Sequence, residues 1–419
     1  MIPRPEGRRA ACFLVAVVAL VTSLLLPLLP AEASAAGKGK AHLTASSAKS
    51  KAPQIDYRCP CPDLVPGSNP KVLPGPVLIA DHLNNRLLIV QPNGEISWEF
   101  PRAGDLTAGQ SFMVPDDAFF TPDGQDILAT EEDDYVIRLV NIATHRIVWQ
   151  YGTPGVPGSG PNHLWNPDDA LMMPDGDIIL ADIKNCRVLV LRPPALSPVK
   201  VYGMTTQACM HDPPQRWGSP NGAFPLSNGR YLITEINGDW VDSLGLDGGV
   251  AWSTNPPGVN YPSDTNEVRP GVYLTADYSN PGQLVEFNQA GQTIWRFAPT
   301  GSNALDQPSL ALPLPNGDIL ANDDFSHRVI VVDPVTNQIV WQYGHTGVSG
   351  SQPGYLYDPD GVDLAPPHSL VITHATTMGE YPVPAGSAPV PGADPALSHP
   401  RHNADPVPAH HRHSAARRH

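Results

Sequence analysis

A chain of 419 residues is long enough for one large all-β domain or two ordinary ones. Its formal charge of −15 is unevenly placed: residues 57–380 hold 15 Lys/Arg against 36 Asp/Glu, a net of −21, while both flanks are basic. A body that acidic excludes nucleic acid, which requires a basic footprint, and favours a cation, a basic partner or plain solubility.

The N-terminus sets the compartment. Arg4, Arg8 and Arg9 precede an apolar run from Ala10 to Leu29, and small residues follow at Ala31, Ala33, Ala35 and Ala36. That order predicts a secretory signal over residues 1–35, cut after Ala33 or Ala35, and an extracytoplasmic protein. The run is also about long enough to span a bilayer as an uncleaved anchor, the one route to membrane attachment. Cys12 belongs to the signal, which leaves Cys59, Cys61, Cys186 and Cys209, an even count that points to disulfides in an exported protein. Residues 36–56, rich in Ala, Ser, Gly and Lys, read as a flexible linker.

Residues 57–380 repeat themselves. One phrase ends in tryptophan: Ile96-Ser97-Trp98, Ile147-Val148-Trp149, Val250-Ala251-Trp252, Thr293-Ile294-Trp295 and Ile339-Val340-Trp341. The missing sixth member is Val199-Lys200-Val201-Tyr202-Gly203, aligned through its glycine with Tyr151-Gly152. A second phrase opens with proline: Pro115-Asp116-Asp117, Pro167-Asp168-Asp169, Pro220-Asn221-Gly222, Pro262-Ser263-Asp264, Pro308-Ser309-Leu310 and Pro359-Asp360-Gly361. Both phrases recur at the period of a propeller blade, and both count to six. Inside a unit, short apolar runs are separated by turns such as Pro122-Asp123-Gly124, where glycine supplies the positive φ of a hairpin. The expectation is an all-β, six-bladed β-propeller of four-stranded antiparallel blades. The first unit lacks an inner strand and the last phrase has one to spare, so the C-terminal segment is expected to close the ring on blade one. Leu370-Val371-Ile372 reads as a further strand without a place. Residues 381–419, rich in Pro, Ala and His, read as a disordered tail; its histidines, His410 and His411 among them, suit transition metals or a charge change near pH 6.

Ala80-Asp81 through Asn84-Asn85-Arg86-Leu87 resembles an NHL repeat, as does Ala181-Asp182 with Asn185-Cys186-Arg187-Val188 and, more loosely, Asn322-Asp323 with His327-Arg328-Val329. Val332-Asp333-Pro334-Val335-Thr336-Asn337 leading to Trp341 resembles the quinoprotein-like (PQQ-like) repeat, also found in arylsulfotransferase-like propellers. The resemblance covers about residues 70–375 and implies a fold that hosts scaffolds, lyases, transferases and dehydrogenases alike. In NHL-like blades the acid ending the second strand bonds the nearby arginine, which implies Asp81 with Arg86 and Asp182 with Arg187. Arylsulfotransferase-like propellers use a channel histidine as nucleophile, and propeller lyases use one as base or zinc ligand. Quinone-dependent relatives use adjacent cysteines and eight blades; Cys59-Pro60-Cys61 and six blades do not match, so no quinone cofactor is expected.

Strand direction places three sets of residues on one face. Acids ending the second strands are Asp81, Glu131, Glu132, Asp182, Glu235, Asp277, Asp323 and Asp324. Acids and amides opening the inner strands are Asp116, Asp117, Asp168, Asp169, Asn221, Asp264 and Asp360. Long loops between blades carry His163, His211 and His345, the candidate catalytic histidines. Asp116, Glu131, Asp168, Asp182, Glu235, Asp277, Asp323 and Asp360 are the candidate ligand or cation residues. Converging carboxylates are unfavourable unless protonated or neutralised, which makes a divalent cation plausible: calcium or magnesium on oxygens alone, zinc if a histidine joins. Cys186 and Cys209 are expected to form a disulfide that staples the His211 loop. The leading expectation is a monomeric extracytoplasmic binding scaffold for a small molecule, cation or extracellular protein. The alternative is an enzyme: an arylsulfotransferase-like transferase or a metal-assisted lyase or hydrolase.

Overall fold

The computed structural model describes residues 61–205 and 208–365. These belong to the second of two units into which the chain divides, Asp56–His419. The expected signal, linker and tail, Cys59 and the Leu370-Val371-Ile372 run lie outside the described residues. Among the described residues there is no α-helix, and none long and apolar enough to cross a membrane.

Six four-stranded antiparallel sheets surround a common axis, forming a six-bladed β-propeller. The inner strands of blades two to six are Ala118–Phe120, Pro167–Met172, Pro220–Pro225, Pro262–Arg269 and Ala311–Pro313. Blade one takes its inner strand from the other end of the chain: Pro359–Leu364 pairs antiparallel with Val77–Asp81. The ring is therefore closed by the C-terminal segment, which leaves no open sheet edge at the seam. The second strands, Val77–Asp81, Asp126–Glu131, Ile178–Asp182, Tyr231–Glu235, Val272–Asp277 and Ile319–Asp323, are almost entirely buried.

The tryptophan of the phrase sits within the outer strand, and in three blades its ring bridges to the next blade. Trp98 Nε1 donates to the Ile142 carbonyl of the next blade at 3.0 Å, Trp295 to Pro334 at 3.1 Å and Trp341 to Pro92 at 2.9 Å. Blade three has no tryptophan here, and Tyr202 performs the same service, its hydroxyl donating to Leu246 at 3.1 Å. An aromatic body with one polar tip suits a seam that is greasy but ends on a turn. The glycine that follows is needed for close approach: a Cβ on Gly152 would sit 2.2 Å from the Tyr135 carbonyl oxygen, and one on Gly344 2.3 Å from that of His327.

Two local devices aim side chains at the axis. Three of the second strands run into a single 3₁₀ turn closed by a left-handed residue, Asn85, Tyr135 or Cys186, and Asp239 and His327 take the same conformation after ordinary turns in blades four and six, all with φ between 55° and 61°. The residue before the inner-strand proline is also left-handed in five of six blades, at Val114, Asn166, Ser219, Gln307 and Asp358. A residue before proline normally stays extended, and valine rarely takes positive φ, so this is stored backbone strain.

Candidate functional site

The residue after the proline lines one small central cavity in every blade: Asp116, Asp168, Asn221, Ser263, Ser309 and Asp360. Asp117, Asp264 and Tyr278 complete its wall. Its volume of about 20 Å³ matches a single water-sized occupant. His82, which follows Asp81 at the end of a second strand, stands 3.5 Å from Asp116 and 3.6 Å from Asp360. Gly222 and Gly361 occur where neighbouring acids crowd the backbone: a Cβ would lie 2.9 Å from Asp264 Oδ1 and 2.7 Å from the Asp117 Cα respectively.

Several oxygens here are buried without a donor. The Oδ1 atoms of Asp117, Asp169, Asn221 and Asp264 accept no hydrogen bond. Two sets of three carboxylates have ligand atoms within 4.8 Å of one another: Asp116, Asp117 and Asp168, and Asp117, Asp169 and Asp264. Burial first, then mutual repulsion, pushes Asp116, Asp117, Asp168 and Asp169 well above the ordinary carboxylate range. Burial likewise raises Asp264 to about 7. Asp360 goes the other way: burial raises it, but the Asp116 carboxyl, His82 and the Ser309 hydroxyl outweigh that and hold it below the usual value. The cluster thus keeps its charge on one side and is starved of positive partners on the other.

The acids ending the second strands do different work. Asp81 accepts from Arg86 Nε at 2.7 Å and the Tyr357 amide at 2.7 Å. Asp182 accepts from Arg187 at 2.7 Å and Trp165 at 2.8 Å, and Asp323 from Arg328 at 2.7 Å and Asp306 at 2.7 Å. Glu131 accepts from Arg138 at 2.5 Å and Met113 at 2.9 Å. Asp277 takes the Tyr261 amide at 3.1 Å and the Gln283 amide at 2.6 Å. Each therefore braces an inter-blade loop onto its own blade. Of the eight candidate ligand residues, Asp116, Asp168 and Asp360 meet at the axis, and the other five, Glu235 included, are engaged in such braces.

The three candidate histidines also separate. His163 Nδ1 lies 2.9 Å from the Pro161 carbonyl, and His345 packs edge-on against Tyr355 at 4.1 Å; both are loop contacts. His211 is buried, with Nδ1 2.9 Å from Glu235 Oε1. Cys186 and Cys209 form the expected disulfide, beside the His211 loop. The histidine that reaches the axial cluster is His82, absent from the sequence candidates. Its signal was positional: the residue after the strand-ending acid is His82, Glu132, Tyr278 or Asp324 in four blades. His82 and Tyr278 adjoin the cavity acids directly, Asp324 shares a hydrogen bond with Asp360, and Glu132 repels the Asp116 carboxylate.

Comparison with known proteins places the fold. No family model matches the chain, and no curated protein matches it in sequence. A crystal structure of a Bacteroides caccae protein of unknown function is similar, with a TM-score of 0.50 and 15% identity, covering 69% of this chain and 98% of that one. A streptogramin B lyase (TM-score 0.40, 14% identity, 55% of this chain and 68% of that one) is more distant. So is the Staphylococcus aureus virginiamycin B lyase (0.39, 15%, 54% and 69%). These likenesses are of the β-propeller fold alone.

Proposed function

We propose that this propeller is an extracytoplasmic binding scaffold whose central channel holds one hard divalent cation, of the calcium or magnesium kind, beneath its ligand. One observation carries the reading: a cavity sized for a single occupant receives an oxygen-bearing side chain from every blade, and buried oxygens around it accept no hydrogen bond. A ring of carboxylate, amide and hydroxyl oxygens is the donor set that hard cations prefer. A cation there satisfies those oxygens and removes the repulsion that otherwise forces protons onto them. The disulfide supports an oxidising compartment.

His82 favours a second reading, a metal-assisted lyase or hydrolase. An imidazole between two carboxylates at the rim of a cation site is equipped to move a proton from a bound substrate. The two readings share the cation and differ in whether His82→Ala loses turnover or only ligand affinity.

The test is calorimetric titration of calcium and magnesium into chelator-treated protein, with Asp116→Asn/Asp168→Asn as control. Expected are one equivalent bound, a raised melting temperature, and loss of both in the control. Absence of binding and of any melting shift in the parent protein would overturn the cation reading.

A further inference from the structure

Blade four departs from its neighbours in a way that the axial site does not explain. In blades one, two, three and six the strand-ending acid is paired with an arginine, and in blade five Asp277 accepts a hydrogen bond from the Gln283 side chain, itself held by Arg296. At the position where Arg86, Arg187 and Arg328 stand, five residues after the acid, blade four has Trp240. Instead of supplying a cation, this blade adds a second buried carboxylate, Asp242, on the third strand Trp240–Leu244.

The resulting trio is His211, Glu235 and Asp242. Glu235 Oε1 faces His211 Nδ1 at 2.9 Å, and its Oε2 accepts from the Gly218 amide. Asp242 Oδ1 accepts from the Ser253 hydroxyl. Asp242 Oδ2 lies 3.9 Å from His211 Nδ1, is fully buried and accepts no hydrogen bond. The imidazole is stacked flat on Trp240, centroids 4.0 Å apart and planes 10° apart, so its ring is fixed before anything binds. Burial holds His211 below the usual histidine range, although Asp242 and Asp212 oppose it.

We propose that His211 Nδ1, Glu235 Oε1 and Asp242 Oδ2 form a second metal site, off the axis, for a single zinc-class ion. The three atoms lie within 4.8 Å of one another, from a loop and two adjacent strands. One imidazole and two carboxylates are a donor set for zinc, and three protein ligands leave its fourth position open. The ion balances the two buried carboxylates that no arginine reaches. It also ties the loop after blade three to blade four, next to the Cys186–Cys209 disulfide and the 3.2 Å bond from Asn237 to the Cys209 carbonyl. This proposal stands independently of the axial cation.

The test is titration of chelator-treated, calcium-saturated full-length protein with cobalt(II), read as the visible spectrum of parent minus His211→Ala. Tail histidines are common to both proteins and cancel in the difference. Expected is a saturating d–d absorption at one equivalent, displaced by zinc and also lost in Asp242→Asn, while calcium binding at the axis is unchanged. Should His211→Ala fail to fold, His211→Gln serves as the blank. No difference absorption, or a spectrum retained in Asp242→Asn, overturns the site whatever the calcium titration gives.

Discussion

Two rings of acids lie side by side in this propeller, and only the outer one meets fixed arginines, in four of its six blades. The outer ring ends the second strands, where Asp81, Asp182 and Asp323 meet an arginine five residues later across a tight turn. The inner ring opens the first strands, where Asp116, Asp117, Asp168, Asp169 and Asp264 meet chiefly one another. The same side chain is therefore a brace in one ring and a source of repulsion in the other. Burial alone does not separate them, since Asp182 and Asp323 are also raised, to about 6, by burial that outweighs their arginines. What separates them is whether a fixed positive group stands opposite.

The largest expected effect breaks the outer ring. Arg328 and Asp323 are both fully buried, and Arg328→Met leaves the carboxylate without its partner. A loss of about 3 to 5 kcal/mol in urea unfolding is expected; a loss below about 1 kcal/mol would show that the outer pairs are not braces. Next comes the pH response of the inner ring. Its carboxyls are raised in the folded state, so that state retains protons that the unfolded chain releases. Cation-free protein should therefore lose stability as pH rises from the ordinary 3.8 through about 7 for Asp264, by on the order of 3 kcal/mol. Saturating calcium should flatten that slope, which paired melts at pH 5 and pH 8 will show.

The sharpest comparison, though the smallest effect, sets Asp168→Asn against Asp182→Asn. Without a cation, the first removes repulsion and is expected to stabilise by roughly 1 kcal/mol; the second weakens a charge-assisted brace and is expected to destabilise by about 1.5 to 3 kcal/mol. Opposite signs in chelator would confirm that the two rings differ in kind, and equal signs would merge them.

Much of this was legible along the chain because it is local. The blade count follows from two phrases that each recur six times, and ring closure follows from the missing strand before Val77 and the surplus Pro359-Asp360-Gly361. The outer pairs are legible for the same reason: Asp81 and Arg86 are five residues apart, on either side of one turn. The resemblance to NHL-like blades implied them, and the geometry shows them. Tyr202 was readable as the sixth outer-strand member through Gly203, although its hydroxyl's reach to Leu246 was not.

The inner ring was legible only as a set of positions. That the residue after each proline shares an environment follows from the repeat, but that all six line one cavity depends on where the blades meet, tens of residues apart in sequence. His82 and Asp242 escaped, and His211 and Glu235 were named separately but not brought together, for a related reason. Each cluster draws ligating atoms from separate strands or loops, so no spacing within one segment announces it. Short-range periodicity and turn chemistry, carried by neighbours in the chain, thus determined the fold and the outer braces. Convergence at the axis, where electrostatic energy depends on distances between blades, was decided by the tertiary structure.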